Sequence, residues 1–353
     1  MLRLFKYIAF NLVILIVAFG LCETVLRIAN VNPRVDNPFF LLVRVFEYPD
    51  YFKKDTSLFW RLRSGIREGT EFLVPGSYRT NSLGLRGPEA LVDSDGSQVR
   101  VACFGNSCTF GWRLEEADTY PMQIQSLLSL SQSGLEPVAF NCGVPGYSSF
   151  QGRKFLQEYF PILKPQYVTL CYGWNDHWAA GFDIEDKKQQ MSPQCVLDIQ
   201  NTASKSYVYR AVKYALLSSS EKSREYTYNR QSPTYRVSLD DYRDNLRDMV
   251  NYCLTHNAKP IIITAPVADV DPGKDNSMET YHLLYAQIGV MVGQEMSVPV
   301  VDAAAMFAQH PEFWDDPKAD FIHYNSRGAE FIADQVAKII AADLGPRNPG
   351  SHK

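Results

Sequence analysis

From residue 98 onward the sequence alternates between short apolar runs and longer amphipathic patterns, and this alternation restricts the fold more than any other feature. The apolar runs are Arg100–Phe104, Val138–Cys142, Tyr167–Tyr172, Pro260–Ala265 and Val298–Val301. Each is short, abruptly ended and suited to a buried strand. Helical patterns lie between or after them, near 119–130, 149–160, 239–255, 278–292 and 326–342. Strands that alternate with helices build a parallel sheet with helical crossovers, so an α/β fold is expected. Ser238 is the expected cap of the third of these helices, ahead of Asp240 and Asp241.

Functional groups in such sheets collect outside the carboxyl ends of the strands. The first strand runs into Gly105-Asn106-Ser107, a sharp turn made of residues that tolerate unusual backbone angles. The second runs into Gly143-Val144-Pro145-Gly146, and the third into Gly173-Trp174-Asn175-Asp176. After the fifth come Asp320-Phe321-Ile322-His323, just before the last helical pattern. In a parallel sheet these loops open at one edge, which brings a serine, a glycine-rich turn, an amide and an Asp-x-x-His to one cleft.

Their chemistry is complementary. A serine hydroxyl is a weak nucleophile until a base takes its proton. His323 is the candidate base, since an imidazole of ordinary pKa ~6.5 is largely neutral near pH 7. Asp320 is the candidate partner that fixes its tautomer. The backbone N–H groups of Ser107 and Gly146 and the Asn175 side-chain amide are candidate donors to a developing oxyanion. Asn106, Trp112, Trp174, His177 and Arg86 lie in or beside these segments and are candidate substrate contacts.

The ordered set Gly105-Asn106-Ser107, Gly146, Gly173-Trp174-Asn175-Asp176 and Asp320-Phe321-Ile322-His323 resembles the four sequence blocks of the SGNH hydrolases, also called GDSL esterases. The resemblance covers roughly residues 98–342. It implies a three-layer flavodoxin-like fold with strand order 2-1-3-4-5. It also implies Ser107 as nucleophile, Ser107, Gly146 and Asn175 as oxyanion donors, and a His323–Asp320 pair. One residue departs from the pattern: the family usually has Asp before the serine, and this chain has Asn106. The expected activity is hydrolysis of an O-acyl ester, either an acetyl group on an envelope carbohydrate or a lipid-like acyl ester. An O-acyltransferase acting on a polysaccharide would use the same groups. A non-catalytic, membrane-tethered binding module on the same fold is a third reading, resting on Asn106.

The N-terminus adds a location. Arg3 and Lys6 precede a sixteen-residue apolar run from Tyr7 to Cys22, broken only by Asn11. A basic start before such a run reads as a signal anchor or a cleaved signal peptide, and the retained anchor is favoured. The charge bias puts the N-terminal end in the cytoplasm and the rest of the chain outside. The start of the chain and Thr80-Asn81-Ser82-Leu83-Gly84-Leu85-Arg86 look like an envelope-associated bacterial branch of the same family. The expected organisation is an anchor over 1–30, an extension over 31–97 packing on the core and a hydrolase-like domain over 98–345. That domain would carry a lid-like insertion at about 179–238, with a flexible tail at 346–353.

Other classes lack support. A net charge of −4 gives no electrostatic reason to expect nucleic acid. The seven cysteines form no C-x-x-C motif and no zinc-spaced cluster with histidine. They are expected to be mostly small buried side chains, and neither a metal nor a cofactor is expected.

Overall fold

The computed structural model describes residues 2–31, 50–66, 79–89, 98–131, 136–180, 184–221, 234–268 and 277–345. The expected tail at 346–353 and residues 222–233 of the expected insertion lie outside the described residues. By contacts the chain divides into two units: Met1–Arg61 with Gln190–Ser232, and Leu62–Gln189 with Pro233–Lys353. These limits differ from the expected segments. The expected extension is shared between the units, and much of the expected insertion groups with the N-terminal residues.

In the first unit a helix spans Leu2–Ile28, longer than the sixteen-residue apolar run. It continues past Cys22 because Glu23 and Arg27 are one turn apart and pair, Arg27 Nε donating to Glu23 Oε1 at 2.8 Å. The segment Arg3–Ile28 is long and apolar enough to cross a membrane. Glu23 also caps the helix Tyr207–Glu221, accepting from Ser206 Oγ at 2.8 Å and from the N–H groups of Tyr207 and Val208 at 3.1 and 3.0 Å. A carboxylate there satisfies donors that a helix start leaves open.

The second unit holds the five-stranded parallel sheet. Its strands are β1 (Gln98–Gly105), β2 (Glu136–Gly143), β3 (Tyr167–Cys171), β4 (Lys259–Ile263) and β5 (Val300–Val301). They lie in the order β2-β1-β3-β4-β5, every pair parallel. The register pairs Gly105 with both Gly143 and Cys171, so the first three strands end level. The helices are α1 (Ser107–Phe110), α2 (Tyr120–Ser131), α3 (Ser149–Leu163), α4 (Leu239–Thr255), α5 (Ser277–Glu295) and α6 (Ser326–Leu344). α2 packs on α6, while α4 packs between α3 and α5.

Alternation along β1 sorts the two sides of the sheet. Val99, Val101 and Cys103 join one core with Ile124 and Leu128 of α2 and Ile332, Val336 and Ile340 of α6. Phe104 points the other way and meets Phe155 of α3 edge-on, ring centroids 5.8 Å apart. Every residue of β3 is buried, as a central strand covered on both faces requires. Ser238 caps α4 as its sequence suggests, accepting from Asp241 N at 3.2 Å.

β5 is shorter than its apolar run. Pro299 has no N–H to give a ladder, yet its carbonyl still accepts from Ile262 N at 3.0 Å, so regular pairing starts only at Val300. The cysteines behave as expected of small apolar groups: Cys103, Cys108, Cys142, Cys171 and Cys253 are buried thiols, while Cys22 and Cys195 are exposed.

Candidate active site

β1 ends at Gly105, where a Cβ would lie 1.9 Å from Thr109 Oγ1 and 2.7 Å from the Cys171 carbonyl oxygen. Only glycine lets the chain turn this tightly against β3. Asn106 then caps α1, its side chain accepting from Cys108 N at 2.9 Å. Gly111 closes the short helix in the left-handed region at φ 83°. Gly143 at the end of β2 is equally constrained, since a Cβ there would lie 2.1 Å from Phe110 N. The sheet edge therefore holds Ser107 from two sides.

Across 216 residues of sequence, His323 Nε2 lies 2.8 Å from Ser107 Oγ. His323 Nδ1 lies 2.9 and 3.0 Å from the two oxygens of Asp320. An ionised carboxylate only accepts, so Nδ1 carries the proton and Nε2 presents its lone pair to the serine hydroxyl. Asp320 also accepts from the N–H groups of Ile322 and His323 at 3.2 and 3.0 Å. Burial alone would raise its pKa; the His323 contacts and these N–H bonds outweigh burial and leave it below the ordinary value. The Arg113 guanidinium stands 3.6 Å from Asp320 Oδ2.

Beside the serine, Gly146 lies in the left-handed region at φ 84°. Among the described residues neither the Ser107 N–H nor the Gly146 N–H meets an acceptor. Asn175 donates one side-chain N–H to the Tyr147 carbonyl at 3.1 Å, leaving a second. The neighbouring Asp176 is fully buried and fastens this edge: it accepts from Ser149 N at 2.8 Å, Ser149 Oγ at 2.5 Å and Gly173 N at 3.0 Å. Burial pushes its carboxyl up to about 6 despite these bonds.

Several expected substrate contacts instead build the walls. Asn106 has no exposed surface; its oxygen is used in the cap and its Nδ2 is buried without a partner. Arg86 is 3% exposed and donates to the carbonyls of Phe110, Gly111 and Leu114 at 2.6–2.8 Å. It clamps the end of α1, where carbonyls lack helical partners. Trp174 is 1% exposed, donates Nε1–H to the Pro266 carbonyl at 2.9 Å and stacks on His282, centroids 3.8 Å apart. His177 is 5% exposed and lies against His282. In the structure these four side chains are mainly engaged with protein partners. Trp112 stacks on the His323 ring at 5.6 Å and orients it.

Sequence reasoning missed Arg236, Asp186, Gln151 and His282. Arg236 donates to the carbonyl of Gly146 at 2.7 Å and forms a buried ion pair with Asp186 at 2.8 Å. It lies near the end of the stretch where the strand–helix rhythm breaks, and no local pattern singles it out. Among the described residues no group of three His, Cys, Asp or Glu side chains could hold a metal ion.

A hydroxyl, an imidazole and a carboxylate in series, beside open N–H donors at the edge of a parallel sheet, are the groups a serine hydrolase needs. Residues 103–331 match the GDSL-like lipase/acylhydrolase family, and the chain belongs to that family. Among curated proteins it is similar to the isoamyl acetate-hydrolyzing esterase of Saccharomyces cerevisiae, 24% identical over 115 residues. That match covers 30% of this chain and 48% of the yeast protein, about half the length of this relative. Among solved structures it is similar to a lipase/acylhydrolase from Enterococcus faecalis at 18% identity and TM-score 0.45, covering 70% of this chain and 98% of that one. An acetylxylan esterase from Geobacillus stearothermophilus matches at 17% identity and TM-score 0.46, covering 70% and 95%.

Proposed function

We propose that this protein is a serine esterase that hydrolyses an O-acyl ester through an acyl-enzyme on Ser107. The observation that carries the reading is the unbroken relay in which His323 Nε2 lies 2.8 Å from Ser107 Oγ and His323 Nδ1 lies 2.9 Å from Asp320 Oδ2. In the first half-reaction Ser107 Oγ bonds to the acyl carbon while its proton passes to His323 Nε2. Asn175 and the N–H groups of Ser107 and Gly146 hold the oxyanion. Collapse expels the alcohol, which takes the proton from His323. In the second half, water repeats the sequence: His323 takes its proton, its oxygen bonds to the acyl carbon, and Ser107 leaves reprotonated with release of the acid.

The acyl group favoured is acetyl or another short chain, in keeping with the acetate ester named for the yeast relative. The alcohol is an envelope carbohydrate or lipid, and the N-terminal helix is a membrane anchor that leaves the hydrolase unit outside the cytoplasm. The apolar segment Arg3–Ile28 is long enough for such an anchor, and the outward placement rests on Arg3 and Lys6 at its N-terminal end.

The test compares wild type with Ser107→Ala on p-nitrophenyl acetate and with a serine-directed fluorophosphonate probe. Turnover and labelling should both vanish in the variant while its melting temperature holds. Unchanged turnover in Ser107→Ala sinks the assignment.

A further inference from the structure

We propose that Arg236 is a positioning residue that holds the two oxyanion-donor loops in register with Ser107. This rests on the reading of Ser107 as nucleophile, with Gly146 and Asn175 as donors. The side chain is 5% exposed and its guanidinium reaches both loops. Nη1 donates to the Gly146 carbonyl at 2.7 Å and lies 3.5 Å from the Asn175 carbonyl. Nη2 donates to Gln151 Oε1 at 2.6 Å and to Asp186 Oδ2 at 2.8 Å, and Nε donates to Asp186 Oδ1 at 3.1 Å.

Each partner of Arg236 is tied in turn to the same edge. Gln151 Oε1 also accepts from Ser148 N at 3.1 Å, and Asp186 Oδ2 accepts from Ser148 Oγ at 2.6 Å. The Arg236 backbone is fixed too: its N–H donates to the Trp178 carbonyl at 2.9 Å and its carbonyl accepts from Asp186 N at 2.8 Å. Gly146 at φ 84° has no side chain to brace it, so the bond to its carbonyl pins the 146–147 peptide plane next to the Gly146 N–H. A planar fork can hold carbonyls from two strand-end loops and a carboxylate at once; a lysine ammonium, a single point of charge on a flexible stem, cannot. Arg236 need not touch substrate to act. It sets where the Gly146 N–H and the Asn175 amide point.

Arg236 also lines a half-open cavity of about 540 Å³ together with Phe150, Lys187, Asp241 and Asn245. Truncation of the side chain should enlarge that cavity toward the Gly146 and Asn175 carbonyls and leave a socket for a free guanidinium ion.

The experiment uses the full chain with Arg236→Lys and Arg236→Ala. For Arg236→Lys, kcat on p-nitrophenyl acetate should fall by at least about 10-fold, toward the ~10²–10³ that loss of one oxyanion donor costs, with KM within about two-fold. Guanidinium chloride at non-denaturing concentration should restore kcat of Arg236→Ala saturably, while sodium chloride should not, and Ser107→Ala/Arg236→Ala should show no recovery. Hydrogen exchange read on peptides covering 144–148 and 173–177 should speed up in Arg236→Lys. A folded Arg236→Lys with wild-type kcat and exchange overturns the proposal, whether or not Arg236→Ala folds. If wild type itself neither turns over esters nor takes the fluorophosphonate, the functional reading fails, and exchange alone decides the role of Arg236: unchanged rates refute it and faster rates at both loops support it.

Discussion

His177 donates its Nε2–H to Nδ1 of His282 across 3.0 Å. The direction is fixed because His282 Nε2 lies 2.8 Å from the Ala265 carbonyl, which can only accept. Burial pushes the two imidazoles down to about 3 and about 4, with the neighbouring ring adding to the effect on His177, so both rings are neutral near pH 7 and the donor assignment holds there. Both values lie below the ordinary ~6.5 of an unfolded histidine, so the unfolded chain takes up protons first on acidification. Stability from the pair is complete above about pH 6.5 and declines as pH falls toward the folded values. From pH 7 to 5 the loss should be about 2 kcal/mol for each imidazole. Asp176, raised to about 6 by burial, works the other way, since in the folded state it gains a proton as pH falls through that value. The useful quantity is thus a difference: chemical unfolding of wild type and His282→Gln at pH 7 and 5 should show a shallower pH dependence in the variant. Equal slopes would refute the neutral pair.

Asp320→Asn should keep the fold and lose most of the rate. The asparagine side chain can offer its N–H to His323 Nδ1, which puts the imidazole proton on Nε2 and turns it from acceptor to donor toward Ser107. A kcat loss of roughly 10³–10⁴ is expected by analogy with other triads. The native carboxylate lies below its usual range, so what it adds to stability is present above about pH 4 and disappears as pH falls through its folded value. Steady-state kinetics at neutral pH, with melting curves at pH 7 and 3.5, check both statements.

Asn175→Ala removes one donor and leaves nucleophile and base in place. Its kcat should drop by roughly 10²–10³ with KM little changed, the signature of a contact made mainly in the transition state. A KM effect without a kcat effect would make the amide a ground-state binding group instead.

Gly143→Ala is the severe test of how the nucleophile is held. The new methyl would start 2.1 Å from Phe110 N, a backbone atom that cannot swing aside. Destabilisation at or above the ~3 kcal/mol end of overpacking costs is expected, together with loss of fluorophosphonate labelling. Denaturant midpoints and labelling rates measured on the same preparation will show whether α1 moves.

Much of this molecule could be read before its structure, because the signals are local. The five strands and the helices between them follow from apolar period and length, and Ser107, Asn175, Asp320 and His323 stand at strand ends where topology gathers them. What local signals leave out shares a cause. Arg86, His177 and Trp174 are polar or aromatic residues near the site, and composition cannot tell whether such a side chain faces a cleft or satisfies buried backbone. Arg86 serves three carbonyls around α1, which no sequence pattern announces. Arg236 was hidden for the same reason: its partners Gly146 and Gln151 are 90 and 85 residues away. Val298 and Pro299 looked like strand because apolar character is visible in sequence, while a missing ladder donor matters only once the neighbour is known.

Asp320 and His323 are three residues apart in one loop, and the carboxylate binds that loop's own N–H groups as well as the imidazole ring. Base and orienter are thus a prefabricated part, closed by local bonds, and the reach from His323 to Ser107 is what tertiary assembly adds. A shift of the loop relative to the sheet would switch the hydroxyl in or out of reach like a clutch while the imidazole kept its tautomer. In such a device a loss of rate need not be a loss of chemistry, and a slackened loop could be re-engaged without rebuilding either half.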